Sequence, residues 1–331
     1  MEVAIIMADI RYYYDQIVSG KDISFDQALE IAYETDPAVL HEAADMLRRQ
    51  VHGDQFDLCS IVNLRDGVCT EDCRFCTRSS RYQGEIESYD LVSMDEVLRQ
   101  ARENEQLGVD RFSLITTGRE VSLKDIDSFC TMYEELGEQT DLYLCASMGL
   151  LTKEKAEKLF ASGVRRYHCN LETCRSFYPT ICTTQTWDQK AETITIVREA
   201  GMDICSGGII GLGETFEQRL ELAFELRELG VLSIPINILT PIPGTPLENS
   251  QPLSLYDTLS CIAMFRIINP KAVVRLAGGR AQLGADHYRC FVSGANGAIV
   301  GSYQTTTGNK IHEDLQVIKA IRVDHSPIDN D

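Results

Sequence analysis

Cys69, Cys73 and Cys76 stand in the run Cys-Thr-Glu-Asp-Cys-Arg-Phe-Cys, a C-x3-C-x2-C loop just after the apolar stretch from Phe56 to Leu64. Three thiolates so closely spaced can wrap one inorganic cluster. They ligate three irons of a [4Fe–4S] cube and leave the fourth iron open to a substrate or cofactor. Two blander readings compete: structural zinc, which takes four closed ligands, usually in paired knuckles, and cysteine acting as a small hydrophobe. Glu71, Asp72 and Arg74 make the loop polar, so packing explains it poorly and the spacing favours the cluster.

A second constellation is spread along the chain. Cys59, Cys145 and Cys205 each fall within an expected strand. Side chains alternate along a strand, so Cys59, Ile61 and Asn63 share one face, as do His168, Asn170 and Glu172, while Cys169 and Leu171 point the other way. Asn and Glu on a strand belong in a polar interior, which makes His168 an interior residue and Cys169 a structural one. At about 3.3 Å per residue, Cys59 lies on the order of 13 Å below the end of the strand that carries the loop. Strand cysteines converging at that depth either hold a second cluster beneath the first or fill a core; parity does not choose between them.

The elements that must position these groups follow from hydrophobic periodicity. Ser24 with Gln27 reads as a capping box opening a helix over 26–33, and Pro37 precedes a second helix to about Arg49. From residue 56 the pattern becomes strand, loop, helix, repeated. Strands are expected at 57–63, 111–115, 141–146, 165–170, 203–209, 232–238, 272–276 and 297–301. Helices are expected at 94–107 (with a capping box from Ser93 to Glu96), 123–136, 153–161, 186–200, 215–229 and 254–267. Strands separated by helices pair in parallel through right-handed crossovers, so the expected fold class is α/β, a (β/α)8 barrel of the TIM type. Residues 1–52 would form a helical N-terminal extension, 53–320 the barrel and 321–331 a C-terminal tail. In such barrels the chemistry sits at the carboxyl ends of the strands, where the cysteine loop falls.

Composition narrows the class. The chain has 331 residues, 44% hydrophobic, with a net charge of −19, which argues against nucleic acid or an anionic membrane surface as its main partner. It has no apolar run near the ~18–20 residues needed to span a bilayer and no signal-peptide pattern. Twelve cysteines in such a chain point to a reducing cytoplasm and metal chemistry rather than disulfides.

The cysteine spacing, with Phe75 just before Cys76, resembles the radical S-adenosylmethionine (SAM) enzymes. From residues 24 to 320 the chain resembles, more narrowly, the biotin synthases. The matching stretches are Asp66 to Tyr82, Tyr167-His-Cys-Asn-Leu-Glu-Thr173, Cys205-Ser-Gly-Gly-Ile-Ile-Gly-Leu-Gly-Glu214, Pro235-Ile-Asn-Ile-Leu239 and Val274-Arg-Leu-Ala-Gly-Gly-Arg280. The resemblance implies a sulfurtransferase that cleaves SAM to a hydrogen-abstracting radical. It would insert sulfur between two unactivated carbons of dethiobiotin, drawing the sulfur from an auxiliary iron–sulfur cluster low in the barrel. Cys145, Cys205 and Arg275 match three ligand positions of the family's [2Fe–2S] cluster, but the fourth is Ser113 here, and Cys59 occupies a place where those members carry serine. That departure is similar to the biotin synthases of strict anaerobes, which implies a [4Fe–5S] auxiliary cluster on Cys59, Cys145 and Cys205, with [2Fe–2S] as the alternative. Arg275 and His168 would be neighbours or alternative ligands.

The remaining roles are also implied by the resemblance. Asn170 and Asn237 would hydrogen-bond the ureido ring of dethiobiotin, Glu172 the SAM ribose and Lys190 the SAM carboxylate. Thr117 and Gly118 would meet the methionine amine, while Gly208 and Ile209 would lie against adenine. A flavodoxin or ferredoxin reductant, iron–sulfur assembly proteins and a homodimer are implied partners. On residue type alone Asn170 and Asn237 could be satisfied core amides and Lys190 a solvated surface lysine. Methylornithine synthase, a hydrogenase maturase, a lipoyl synthase, a non-catalytic iron–sulfur carrier and a zinc module stay as competing readings. Cys130 and Cys261 read as core, Cys174 and Cys182 as spare thiols near the top, and Cys290 has no derivable role. His41, His52, His287, His312 and His325 read as structural or exposed.

Overall fold

Hydroxyl caps start most of the helices. The computed structural model describes residues 2–84, 88–301 and 311–324. Three helices precede the sheet: α1 (Glu2–Val18), α2 (Phe25–Glu34) and α3 (Pro37–His52). Ser24 and Gln27 close a reciprocal capping box on α2, and Pro37 occupies the first turn of α3. Six helices then alternate with strands: α4 (Met94–Gln106), α5 (Leu123–Gln139), α6 (Lys153–Ala161), α7 (Trp187–Glu199), α8 (Phe216–Glu228) and α9 (Leu255–Ile268). Their caps are Ser93, Ser122, Thr152, Thr186, Thr215 and Ser254, each accepting from the backbone N–H three residues on. Each such cap contributes roughly 1 kcal/mol. The box expected at Ser93 is half-formed, because Glu96 turns its carboxylate to Arg99 Nε at 2.8 Å and Gln100 Nε2 at 2.7 Å.

The strands are β1 (Asp57–Arg65), β2 (Arg111–Thr116), β3 (Tyr143–Ser147), β4 (Arg166–His168), β5 (Asp203–Cys205), β6 (Gly208–Ile210), β7 (Ser233–Ile238), β8 (Val273–Leu276) and β9 (Gly297–Val300). All pair in parallel. The order β5-β4-β3-β2-β1-β9-β8-β7-β6 closes on itself because β5 and β6 both pair with β7. They are two halves of one stave, so the barrel has eight staves: a (β/α)8 fold.

Two expected strands end early. The stretch 203–209 breaks at Ser206 and Gly207, where the chain runs so close to β7 that a Cβ on Gly207 would lie 1.9 Å from the Pro235 carbonyl oxygen. The stretch 165–170 leaves the ladder after His168 and turns through Glu172 at φ +72°, the only non-glycine among the described residues with positive φ.

The outer face of the sheet packs against the helices, and α9 is buried from Thr258 to Ile268. Its Arg266 is satisfied by the carbonyls of Gly294, Pro270 and Ala272 at 2.8, 3.0 and 2.6 Å. Beyond β8 a 3-10 stretch (Arg280–Val292) leads to β9, and α10 (Ile311–Asp324) docks through a buried Arg280–Asp314 pair. Residues 321–324 of the expected tail are therefore helical, while 325–331, His325 included, lie outside the described residues. Among the described residues no helix is long and apolar enough to cross a membrane.

Candidate active site

The cysteine loop is held by its own polar residues. Asp66, at the end of β1, accepts from Arg78 Nε at 2.5 Å, from Arg78 Nη2, from Thr117 Oγ1 at 2.7 Å and from its neighbour Gly67 N at 2.9 Å. One buried carboxylate thus joins β1, the far side of the loop and the turn after β2. Backbone bonds from Cys69 N to Arg78 O (2.7 Å) and from Ser80 N to Cys69 O (2.8 Å) close the loop at its base. Its outer turn is stitched to residues 181–184: Asp72 accepts from Thr183 N (2.8 Å) and Thr184 N (3.1 Å), and Arg74 N donates to Ile181 O (2.9 Å). The polar side chains that made the loop read as something other than core are its fastenings. Cys69, Cys73 and Cys76 are half-buried, and burial pushes the thiols of Cys69 and Cys76 up. A thiol raised by burial becomes a good ligand only where a cation compensates the thiolate.

A cavity of about 290 Å³ opens beside the loop. Of the anticipated site residues, Cys69, Cys73, Phe75, Cys76, Thr117 and Gly118 line it from the loop and the β2 turn, and His168, Asn170, Glu172 and Lys190 from β4, its continuation and α7. An adjoining space of about 260 Å³ adds Ile209 and Asn237, sharing Phe75, Cys76, Asn170 and Glu172 with the first. Lys190 is not a solvated lysine: its side chain is 12% exposed, with Nζ 3.8 Å from Glu172 Oε1. Burial raises the Glu172 carboxyl, opposed by Lys190.

The backbone beneath is bound by β4–β6 crosslinks. Glu172 N donates to Gly207 O (3.1 Å) and Ile209 N to Glu172 O (2.8 Å), so Gly208 lies directly against Glu172. Asn170 Oδ1 accepts from Gly207 N at 3.2 Å. Asn237 lines the cavity but uses both ends on backbone, donating to Gly208 O (3.2 Å) and accepting from Gly278 N (2.9 Å). A ligand could engage only its second N–H and second lone pair.

Toward the amino ends of the strands lies the second group. Ligand atoms of Cys59, Cys145 and His168 all fall within 4.8 Å of one another. Cys205 is the ladder partner of His168 and accepts from Ser233 Oγ at 3.2 Å. All three cysteines are fully buried. Burial would raise the Cys205 thiol, but His168, Arg275 and Arg166 outweigh it and bring it down to about 7. Cys145 and His168 pull Cys59 below the usual thiol range. Burial, then Cys59, pushes the Cys145 thiol well up. Burial disfavours a charged His168, and Cys205 and Cys59 reverse that, pushing it up to about 9. Arg275 gives Nη1 to Asp57 O (3.1 Å) and Nη2 to the Asp57 carboxylate, leaving Nε without a partner. Buried polar atoms are nearly always hydrogen-bonded. Here His168 Nε2, Ser113 Oγ and Arg275 Nε lack partners together, around three buried thiols. That donor and ligand set fits an anionic metal–sulfur group.

Sequence reasoning missed several members. Cys182 sits with Sγ 3.6 Å from Cys73 Sγ, a contact between residues 109 apart with no local signal. Arg166 shares the strand parity of His168 and enters the same interior, and parity could have found it. Arg111 pairs in register with Cys59.

The Radical SAM superfamily pattern matches residues 67–226, and the Biotin and Thiamin Synthesis associated domain matches residues 235–323. A protein named biotin synthase from Desulfotalea psychrophila is 51% identical over 306 residues, 91% of each chain. One from Porphyromonas gingivalis is 46% identical over 311 residues, 94% of each chain. Among solved structures, methylornithine synthase superposes with a TM-score of 0.81 at 18% identity, over 94% of this chain and 98% of its own. The FeFe-hydrogenase maturase HydG from Carboxydothermus hydrogenoformans gives 0.77 at 17% identity, over 97% and 83%. At such identity the structural likenesses show the fold alone.

Proposed function

The chain belongs to the biotin synthase family of radical SAM sulfurtransferases, and from that premise we propose how its own residues divide the work. Family membership carries a [4Fe–4S] cluster, SAM and dethiobiotin. Bound to this barrel, those groups supply a hydrogen-abstracting radical and, from a lower cluster, the sulfur.

Cys69, Cys73 and Cys76 hold the upper cluster, with Asp66 and Asp72 fixing the loop that presents them. Lys190 neutralises the SAM carboxylate and Glu172 accepts from its ribose hydroxyls. Thr117 and Gly118 meet the methionine end, and Phe75, Gly208 and Ile209 enclose the adenine. Asn170 orients the ureido ring of dethiobiotin, a group whose polar atoms need partners once buried. Asn237 contributes mainly by fixing the β6 and post-β8 backbones around that ring.

Cys59, Cys145 and Cys205 hold the lower cluster, with His168 and Arg275 against it. With serine at position 113, three cysteines remain as ligands, which favours a [4Fe–5S] cluster over [2Fe–2S]: the fourth iron would carry the expendable sulfide. The observation that supports this most is the convergence of Cys59, Cys145 and His168 within 4.8 Å, next to Cys205 and among unfilled donors. A flavodoxin or ferredoxin reductant, iron–sulfur assembly proteins, a cytoplasmic setting and a homodimer complete the reading by kinship.

The test is anaerobic incubation of reconstituted protein with SAM, reductant and dethiobiotin, with mass spectrometry of 5′-deoxyadenosine and biotin. Both products are expected, and Cys59→Ala should keep deoxyadenosine and lose biotin. Deoxyadenosine without biotin from the wild-type protein would sink the substrate assignment. Biotin from Cys59→Ala at the wild-type yield would sink the lower ligand set.

A further inference from the structure

Below the cysteines the barrel floor gathers three guanidinium groups, Arg111, Arg166 and Arg275, with the carboxylates of Asp57, Asp110 and Asp203. Arg111 donates Nε to Asp57 Oδ2 at 2.6 Å, Arg275 binds the same carboxylate, and Arg166 gives Nη2 to Asp203 Oδ2 at 3.2 Å. Asp203 is also held by Tyr143 OH at 2.7 Å, and its side chain is 59% exposed. The Arg166 side chain is only 8% exposed, yet its Nε and Nη1 have no hydrogen-bond partner. A buried charged donor left unfilled is costly, so two of them on one residue call for an acceptor. Arg166 is the ladder partner of Cys145 and lies two residues before His168, on the same face of β4. Two thiols flank it: Cys145, its ladder partner on β3, and Cys205, two residues along β5 from its other ladder partner, Asp203.

We propose that Arg166 is a positioning residue for the lower cluster, donating Nε–H and Nη1–H to its sulfurs from the floor of the barrel. This rests on the two-cluster reading above and goes beyond it by assigning a residue that ligates no iron. Hydrogen bonds to cluster sulfur and nearby positive charge both favour the more reduced, more negative state, and so raise the reduction potential. Arg166 also blocks the floor with a planar cation held by Asp203 and packed near the Tyr143 ring, 5.5 Å from its centroid, keeping the sulfur from being lost toward that end.

The experiment compares reconstituted wild type, Arg166→Met and Arg166→Lys by iron and sulfide content, by Mössbauer and EPR spectra, and by EPR-monitored redox titration. Arg166→Met should keep both clusters and shift the lower one's redox equilibrium about tenfold toward the oxidised form, ~59 mV downward for one electron. The upper cluster's signals should not move. Arg166→Lys, which keeps the charge but not the planar donors, should fall between. If Arg166→Met does not fold, the Lys variant must still show the partial shift. A two-cluster wild type whose potential neither variant moves overturns this inference alone. Loss of the lower iron in both soluble variants overturns it in favour of direct ligation. Wild-type protein that binds iron only at Cys69, Cys73 and Cys76 defeats the two-cluster reading, and this inference with it.

Discussion

Asp66→Ala is the perturbation that probes how the cysteine loop is held. The carboxylate of Asp66 and the guanidinium of Arg78 are 6% and 7% exposed, and they are paired through two donors. Removing one member of a buried pair costs about 3–5 kcal/mol. Thr117 loses its acceptor too, about 1 kcal/mol more. Against a typical global stability of roughly 5–15 kcal/mol, the barrel survives and the cost appears mostly as opening of the loop around residues 67–80. For a chain of this length the thermal midpoint should fall by about 6–9 °C. Amide exchange should speed up across 67–80 while β3 to β5 stay protected, and iron retention at the loop should drop. Asp66→Ala with Arg78→Met should recover more than half of the lost stability, because the pair is removed together. A midpoint within about 1 °C of wild type, with unchanged exchange in the loop, would refute the reasoning.

Two further outcomes follow from the same geometry. Glu172 sits at φ +72°, which Asp tolerates better than Glu. Glu172→Asp should therefore match or slightly exceed wild-type stability and bind SAM within tenfold. Glu172→Ala should weaken SAM binding at least tenfold, about 1.4 kcal/mol, as read by equilibrium binding to the reconstituted protein. Burial, then the charge of Arg266, holds His52 down to about 4. A depressed pKa means the folded state prefers neutral imidazole, so this contribution is present above the unfolded value of about 6.5 and is lost as pH falls toward 4. Thermal midpoints at pH 7 and pH 5 should differ more for wild type than for His52→Gln; an equal difference would contradict it.

The barrel was legible because its signals are local and repeated. Runs rich in Val, Ile and Leu alternate with amphipathic stretches opened by Ser or Thr, and the cap residues put the helix starts within a residue of where they are found. The elements that escaped have other causes. α1 (Glu2–Val18) lies inside the expected helical extension but was given no bounds of its own. The break at Gly207 is dictated by the approach of Pro235, a tertiary fact. The turn at Glu172 stores backbone strain that only surrounding contacts can hold in place. In the site, the cysteine loop was readable from spacing. His168, Asn170 and Glu172 do line one cavity, but so does Cys169, which parity had turned away, because the strand ends at His168 and alternation no longer holds beyond it. Lys190 could not be placed that way, because its burial against Glu172 depends on how α7 packs over the barrel mouth. Cys182 meets Cys73 only through the loop fastened by Asp72. Arg166 was within reach of parity, since 166 and 168 point the same way, but an arginine on a strand reads as an exposed residue until its ladder partners are known.

The most direct test of the central claim follows the sulfur atom. The enzyme is reconstituted anaerobically with heavy-isotope sulfide, freed of excess sulfide, and given SAM, reductant and dethiobiotin for a single turnover. If the group held by Cys59, Cys145 and Cys205 is the donor, the biotin formed carries the heavy isotope, and Cys59→Ala yields deoxyadenosine without labelled biotin. Biotin of natural isotopic mass from the labelled enzyme would contradict the account, because its sulfur would then have come from outside the cluster.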